Sequence, residues 1–300
     1  MQLFRTKYRG YFNKYHENMP IFEVITKDIS YFNLLIKNYF RNGKKSKTIL
    51  VSPEYPSRSS TIYKIGKVLG YNITNKPTKN IELGVYWENT TFRKDFQFLE
   101  TLAKTKKIIN LHSRDISKQH IDKIHNEVFG YSSIVDPLIY EGEIVKKNDL
   151  NAKHDGEILL GPIDKIEDGF IYQILIDNKH SENLVMDIRV PVVNKVLDFA
   201  YIKYRDISER FKNTTTNTVL EPIDNVLSAD EIKLLNEYCA KLNLEYGELD
   251  VLRNKNDNKI YVVDVNNTPN GPPSNISSKD GKTALNKIAN AVLAYANDER

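Results

Sequence analysis

The sequence predicts an α/β fold in which an N-terminal lobe built on a parallel sheet is followed by two α+β lobes. Two patterns carry that expectation. Between residues 47 and 112, short apolar strand-type runs alternate with helix-type segments, the spacing of parallel strands joined by helical crossovers. In residues 188–193 (IRVPVV) and 198–204 (DFAYIKY), apolar and polar residues alternate, as in strands with one buried face. Length agrees, because 300 residues with 40% hydrophobic content bury a large core and leave room for one large or two to three small domains.

Taken in order, residues 21–40 have helical spacing, residues 47–53 (KTILVSP) form a short buried-type strand, and residues 60–72 read as a helix stopped at Gly70. A strand over 81–89, a helix over 93–105 and a strand over 107–112 complete the first lobe. It holds neither a Gly-x-Gly-x-x-Gly turn nor a P-loop, so a Rossmann or Walker nucleotide site has no support there, and the lobe reads as the substrate side. Residues 228–244 form a helix whose Cys239, the single cysteine, reads as a packing residue rather than a nucleophile; one cysteine permits no disulfide within the chain. In the closing helix, Ala284, Ile288, Ala291, Val292 and Tyr295 fall on one stripe, a packing face.

Composition narrows the partners. The net charge of +4 and a pI near 8.8 raise the question of nucleic acid, yet lysines and acids are interspersed, and the basic cluster 41–47 (RNGKKSK) reads as a solvated loop. Nucleic acid is therefore not an expected partner. No apolar run approaches the ~18 residues of a membrane span, and the N-terminal stretch lacks the apolar region of a signal peptide. The expectation is a cytoplasmic protein with no membrane partner.

Residues 245–273 read as a β-hairpin, with a first strand at 249–252, a polar turn at 254–258 and a second strand at 259–265. Asp250 lies on the first strand, and Asp264 and Asn266, two residues apart on the second, leave the same face. Hard oxygen ligands on adjacent strands suit Mg²⁺ completed by nucleotide phosphates and water.

An acid, a turn, an apolar strand ending Asp/Glu-x-Asn and a proline-containing loop resemble the metal-binding hairpin of the ATP-grasp superfamily, in which Glu usually stands where this chain has Asp264. The resemblance runs over residues 107–295 and is nearest the ribosomal-protein glutamate ligase and glutathione synthetase type. It implies an ATP-grasp fold whose two α+β lobes clasp ATP, with lobes at 1–115, 116–178 (lid) and 179–300 (metal and phosphates). Within 110–130 it implies Lys118 as a phosphate-binding lysine, with Lys123 as rival. Within 141–162 it implies Lys146 in that role, ahead of a mobile loop at 148–156, while Lys147 stands where the family often has proline. Residues 169–178 resemble the hinge strand, implying adenine recognition at Gln173, Ile174 and Ile176 and a ribose contact at Asp177. Residues 186–213 resemble the Asp-Ile-Arg strand, the basic strand and the Arg/Phe-x-Asn ending, which assigns Asp187 to nucleotide binding, Arg189, Lys203 and Arg210 to catalysis, and Asn213 to the terminal Asn.

The implied activity is Mg²⁺/ATP-dependent ligation through an acylphosphate, joining a small carboxylate to an amine acceptor (amino acid, peptide or amino sugar), with Mn²⁺ as a substitute ion. A kinase that phosphorylates a hydroxyl and a non-catalytic ATP-binding module stay open as alternatives, as does homo-oligomerisation. The proline-rich loop 267–278 is a candidate wall for the acceptor.

Overall fold

The computed structural model describes residues 21–43, 46–78, 80–153, 155–212 and 214–298; Asn213 and the first twenty residues lie outside the described part. The first sheet is parallel, with strand order β2-β1-β3-β4, from β1 (Thr48–Pro53), β2 (Asn72–Thr74), β3 (Ile81–Trp87) and β4 (Ile108–Ile109). Ile49, Leu50 and Val51 are all fully buried, because helices and loops cover both faces, so the apolar run is continuous rather than alternating. Helix α1 (Ile21–Asn42) buries Leu34 and Asn38, and Asn38 Nδ2 donates to Asn72 Oδ1 at 3.1 Å.

Helix α2 (Thr61–Leu69) starts at Ser60, whose hydroxyl accepts from Tyr63 N, and stops at Gly70 in the left-handed region (φ 69°), so Asn72 belongs to β2. Two expected elements are shorter. Helix α3 covers only Gln97–Ala103, because Arg93 is buried as a clasp that donates to the Glu88 and Ser113 carbonyls and to Asn267 Oδ1. Strand β4 ends at Ile109 because Asn110 turns the chain with φ 57°, its side chain donating to Tyr246 O and accepting from the Glu245 and Tyr246 N–H groups. That amide ties the first lobe to the central sheet.

The second sheet is three-stranded and antiparallel, order β6-β5-β7, from β5 (Gly142–Asn148), β6 (Glu157–Gly161) and β7 (Phe170–Ile174). Helix α4 (Lys118–Phe129), capped by Ser117 and ended by Gly130 at φ 79°, precedes it in sequence but packs elsewhere: Ile121 and Ile124 share a core with Val251 and Val262 of the central sheet.

That central sheet is antiparallel along β11-β10-β8-β12-β13, from β8 (Leu184–Val193), β10 (Phe199–Asp206), β11 (Asn217–Pro222), β12 (Tyr246–Arg253) and β13 (Ile260–Asn266), with β9 (Lys195–Val196) paired to β8. Side chains alternate between faces, and cross-strand partners share one. One face holds Ile188, Val190, Val192, Ala200, Ile202, Leu249, Val251, Val262 and Val265, a single core with α4 and α5 (Ala229–Lys241). The pairings Asp187 with Lys203, Arg189 with Tyr201 and Asp250, Glu248 with Asn266, and Asp250 with Asp264 place the charged residues together on the other.

A β-bulge beside Asp250 and Val251 makes this possible on β13. Plain alternation from Val262 would send Asp264 into the core; the extra residue leaves Val262 and Val265 buried while Val263 and Asp264 line the cleft. Helix α6 (Ser278–Asn297) closes the chain, burying Ala284, Ile288 and Val292 against Ile62 and Ile65 of α2. Cys239 is free and buried in the core beneath the central sheet.

Candidate active site

A cleft of about 570 Å³ runs between the three-stranded sheet, the charged face of the central sheet and the loop after β13. Its lining includes nine basic residues, Lys64, Lys118, Lys147, Lys153, Arg189, Lys203, Arg205, Arg210 and Lys212, against four acids, Asp155, Asp187, Asp250 and Asp264. The net charge of the chain is +4, so its excess positive charge is concentrated here, a field that attracts polyanions.

At the centre, Arg189 Nε and Nη2 each donate to one oxygen of Asp250 at 2.8 Å, and Nη1 lies 3.3 Å from Glu248 Oε2. Burial pushes the Asp250 carboxyl up, but Arg189 and Lys203 outweigh it and hold the group well below the usual carboxylate range. Burial lowers the Lys203 pKa, with Arg189 and Arg205 adding to the fall and Asp250, whose Oδ1 stands 3.9 Å from Nζ, opposing it. Asp187 is locked by Arg205 at 2.9 Å and by Asn178 Nδ2 at 2.9 Å.

Asp264 differs from its neighbours. Its Oδ1 is buried without a hydrogen-bond partner, and burial raises its pKa, with Asp250 adding to the rise and Lys118 and Lys147 opposing it. Next to it, Asn266 Oδ1 accepts from Thr268 N at 3.0 Å. An orphaned buried carboxylate oxygen beside an amide oxygen is a donor set that fits Mg²⁺, which takes few protein ligands. Among the described residues no group of three or more His, Cys, Asp or Glu side chains converges as a metal site. Asp250, expected as a third ligand, spends both oxygens on Arg189.

The expected residues divide on geometry. Lys118, Gln173, Ile174, Ile176, Asp187, Arg189, Lys203, Asp250, Asp264 and Asn266 all line the cleft. Lys146 does not. It faces the outer side of β5, paired with Glu167 and lying 4.6 Å from the Phe170 ring centroid, while Lys147 turns inward. Alternation allows only one of two successive residues to face the cleft. Half-buried beside Lys118, Lys147 has its pKa lowered to about 8, desolvation being the larger cause.

Asp177 also lies off the cleft, its carboxylate accepting from Lys179 N, and Asn178 lines the wall in its place. Arg210 also lines the cleft, at the segment after β7, where Nη2 donates to Ile176 O at 3.1 Å and Asn178 Oδ1 at 2.8 Å. Gln173 is buried, its amide donating to Ser133 Oγ at 2.7 Å. Of the α4 lysines, Lys118 reaches the cleft, donating to Leu150 O at 2.9 Å, while Lys123 is exposed on the outer side. Glu248 escaped the sequence reading. Burial pushes it up to about 7, and its only signal was its place two residues before Asp250.

The fold, a parallel sheet followed by a three-stranded and a larger antiparallel sheet, is the ATP-grasp fold. The ligase PsnB, solved with a minimal precursor, Mg and ADP, superposes with a TM-score of 0.54 at 11% identity, covering 85% of this chain and 99% of PsnB. The D-alanine–D-alanine ligase of Bacillus anthracis, solved with ATP, gives 0.50 at 17% identity, covering 83% and 96%. No family model matches the sequence. Nor does any curated protein.

Proposed function

We propose that the chain is a Mg²⁺/ATP-dependent ligase that activates a carboxylate as an acylphosphate and passes it to an amine. The observation that carries this reading is Asp264, a buried carboxylate oxygen without a partner, set in a strongly basic cleft beside a lid. Such chemistry needs positioning and charge neutralisation more than a protein nucleophile. Asp264 and Asn266 would hold Mg²⁺, which would supply charge neutralisation at the phosphates, while Asp250 orients Arg189. Lys118, Lys147 and Lys203 bind phosphate oxygens as point charges. The hinge backbone near Ile174 and Ile176 takes the adenine edge, and Arg210 stiffens that hinge. Arg189, oriented from two sides by Asp250 and Glu248, faces the transferring group. The substrate carboxylate attacks the γ-phosphorus as its bond to ADP breaks; the amine then attacks the acyl carbon, and phosphate leaves.

Two measurements test this. Mg-ATP should raise the thermal midpoint by mass action, with Lys147→Ala losing most of the shift and Lys146→Ala keeping it; equal shifts in both variants would remove Lys147 from the phosphate site. With ATP and the right carboxylate, hydroxylamine should yield a hydroxamate. ADP formed in step with a phosphorylated hydroxyl, and no hydroxamate, would make the protein a kinase.

A further inference from the structure

Beyond Arg189 the cleft wall passes to the N-terminal lobe. Ser59, Lys64 and Asn89 are the lining residues from that lobe, and Lys64 is the charged one among them. Its ammonium is held in place, with Nζ donating to Gly271 O at 2.5 Å across the seam between α2 and the loop after β13. That seam is a built structure: Thr61 N donates to Pro269 O at 3.0 Å, and Ser60 forms a β-bridge with Asn270. A Cβ at position 271 would stand 2.8 Å from Thr61 Oγ1 and 3.1 Å from Glu248 Oε1, so the close approach depends on glycine. Asn270 is oriented as well, its Oδ1 accepting from the Ser57 and Ser59 hydroxyls at 3.4 and 3.2 Å, which leaves Nδ2 to donate.

Charge at this end is unbalanced. Lys64, Arg189 and Lys203 are the cations, Glu248 and Asp250 the acids, and both acids are engaged by Arg189. One ammonium proton of Lys64 goes to Gly271 O, and the group is half-buried, so burial lowers its pKa despite Glu248 nearby. A cation partly withdrawn from water is stabilised by an arriving anion.

We infer that Lys64 and Asn270 form an anion-recognition subsite that takes a carboxylate of the substrate other than the one that reacts. The substrate class is an amino acid or dicarboxylic acid whose second carboxylate is free. The inference rests on the ligase reading for its meaning, because the reacting carboxylate belongs beside Arg189 and Asp264 on the central sheet while Lys64 reaches in from α2.

Glutarate and its monoamide, glutaramate, serve as probes, titrated calorimetrically into the full chain with and without Mg²⁺ and a non-hydrolysable ATP analogue. Glutarate should bind the wild type about tenfold more tightly than the monoamide, the size of one charge-assisted contact. Lys64→Met should erase that ratio, Lys64→Arg should restore part of it, and Asn270→Asp should weaken glutarate selectively. Affinity for the ATP analogue should stay unchanged throughout. Equal affinity of the wild type for the two probes, or a ratio that survives Lys64→Met, overturns the subsite. Failure of the analogue to bind, with the glutarate ratio intact, would sink the ligase reading and leave the anion subsite standing.

Discussion

Asp264 and His125 both carry buried polar atoms without hydrogen-bond partners, yet they differ in consequence. Asp264 sits among cations at the cleft, so Asp264→Asn keeps the shape and removes the charge that would oppose the metal. Turnover should fall far more than ATP affinity, because charge develops in the transferring group rather than in the bound nucleotide; an equal loss in both would place Asp264 outside the chemistry. His125 does not line the cleft; it sits in an aromatic nest of Phe129, Tyr131, Tyr238 and Tyr261, with both ring nitrogens unpartnered. Burial drives its pKa down to about 4 from 6.5. A depressed folded pKa means that the unfolded chain binds the proton first, so this contribution is full above pH 6.5 and lost as pH falls toward 4. The loss approaches about 3 kcal/mol. Urea midpoints measured between pH 7.5 and 4.5 should therefore fall more steeply for the wild type than for His125→Phe, and parallel slopes would refute the assignment.

Among the elements, the β12–β13 hairpin is the most legible and the most constrained. Its polar turn, its β-branched second strand and the shared face of Asp264 and Asn266 were all readable, because period-two alternation is a local property of the chain. The bulge that turns Asp264 away from the Val262 face was not, since a bulge is settled by partner strands. The same limit explains Lys146 and Lys147: a family pattern points to a neighbourhood, while the sheet decides which of two adjacent lysines faces inward. Helix α3 lost its first turn to Arg93, whose partners Ser113 and Asn267 lie in other segments and leave no mark near residue 93. Gly247 shows how tight the hairpin is, for a Cβ there would come within 2.7 Å of the Asn266 carbonyl oxygen. That oxygen is backbone and cannot rotate away, so Gly247→Ala should cost roughly 1–3 kcal/mol in urea unfolding and weaken Mg-ATP binding by shifting Asn266. An unchanged unfolding midpoint would mean that the two strands have room to separate.

At the scale of the molecule, the parallel and the antiparallel sheets are joined by a shared core and by specific ties, among them Asn110 to the β12 backbone, Lys64 to Gly271, Arg93 to Asn267, and α6 against α2. The succession from a parallel sheet to antiparallel ones follows the change in patterning along the chain, whereas these ties, each spanning over a hundred residues, leave no local mark. The charge distribution is a global property as well. Nine basic residues against four acids repel one another inside the cleft. Salt screens such repulsion, so the nucleotide-free protein should melt higher at physiological ionic strength than in dilute buffer, with the gain largely gone once Mg-ATP is bound. A midpoint that falls with salt in the free protein would show that its ion pairs, such as Arg189 with Asp250, outweigh the repulsion.

The one-faced central sheet means that its strands carry two interleaved texts. On β12 positions 248 and 250 face the charged side and 249 and 251 the core; on β8 and β10 positions 187, 189 and 203 face the charged side, while Tyr201 and Tyr246 beside them pack into the core shared with the first sheet. Combinatorial libraries can rewrite one text while copying the other letter for letter, so selection for new substrates on this scaffold need not compete with selection for folding.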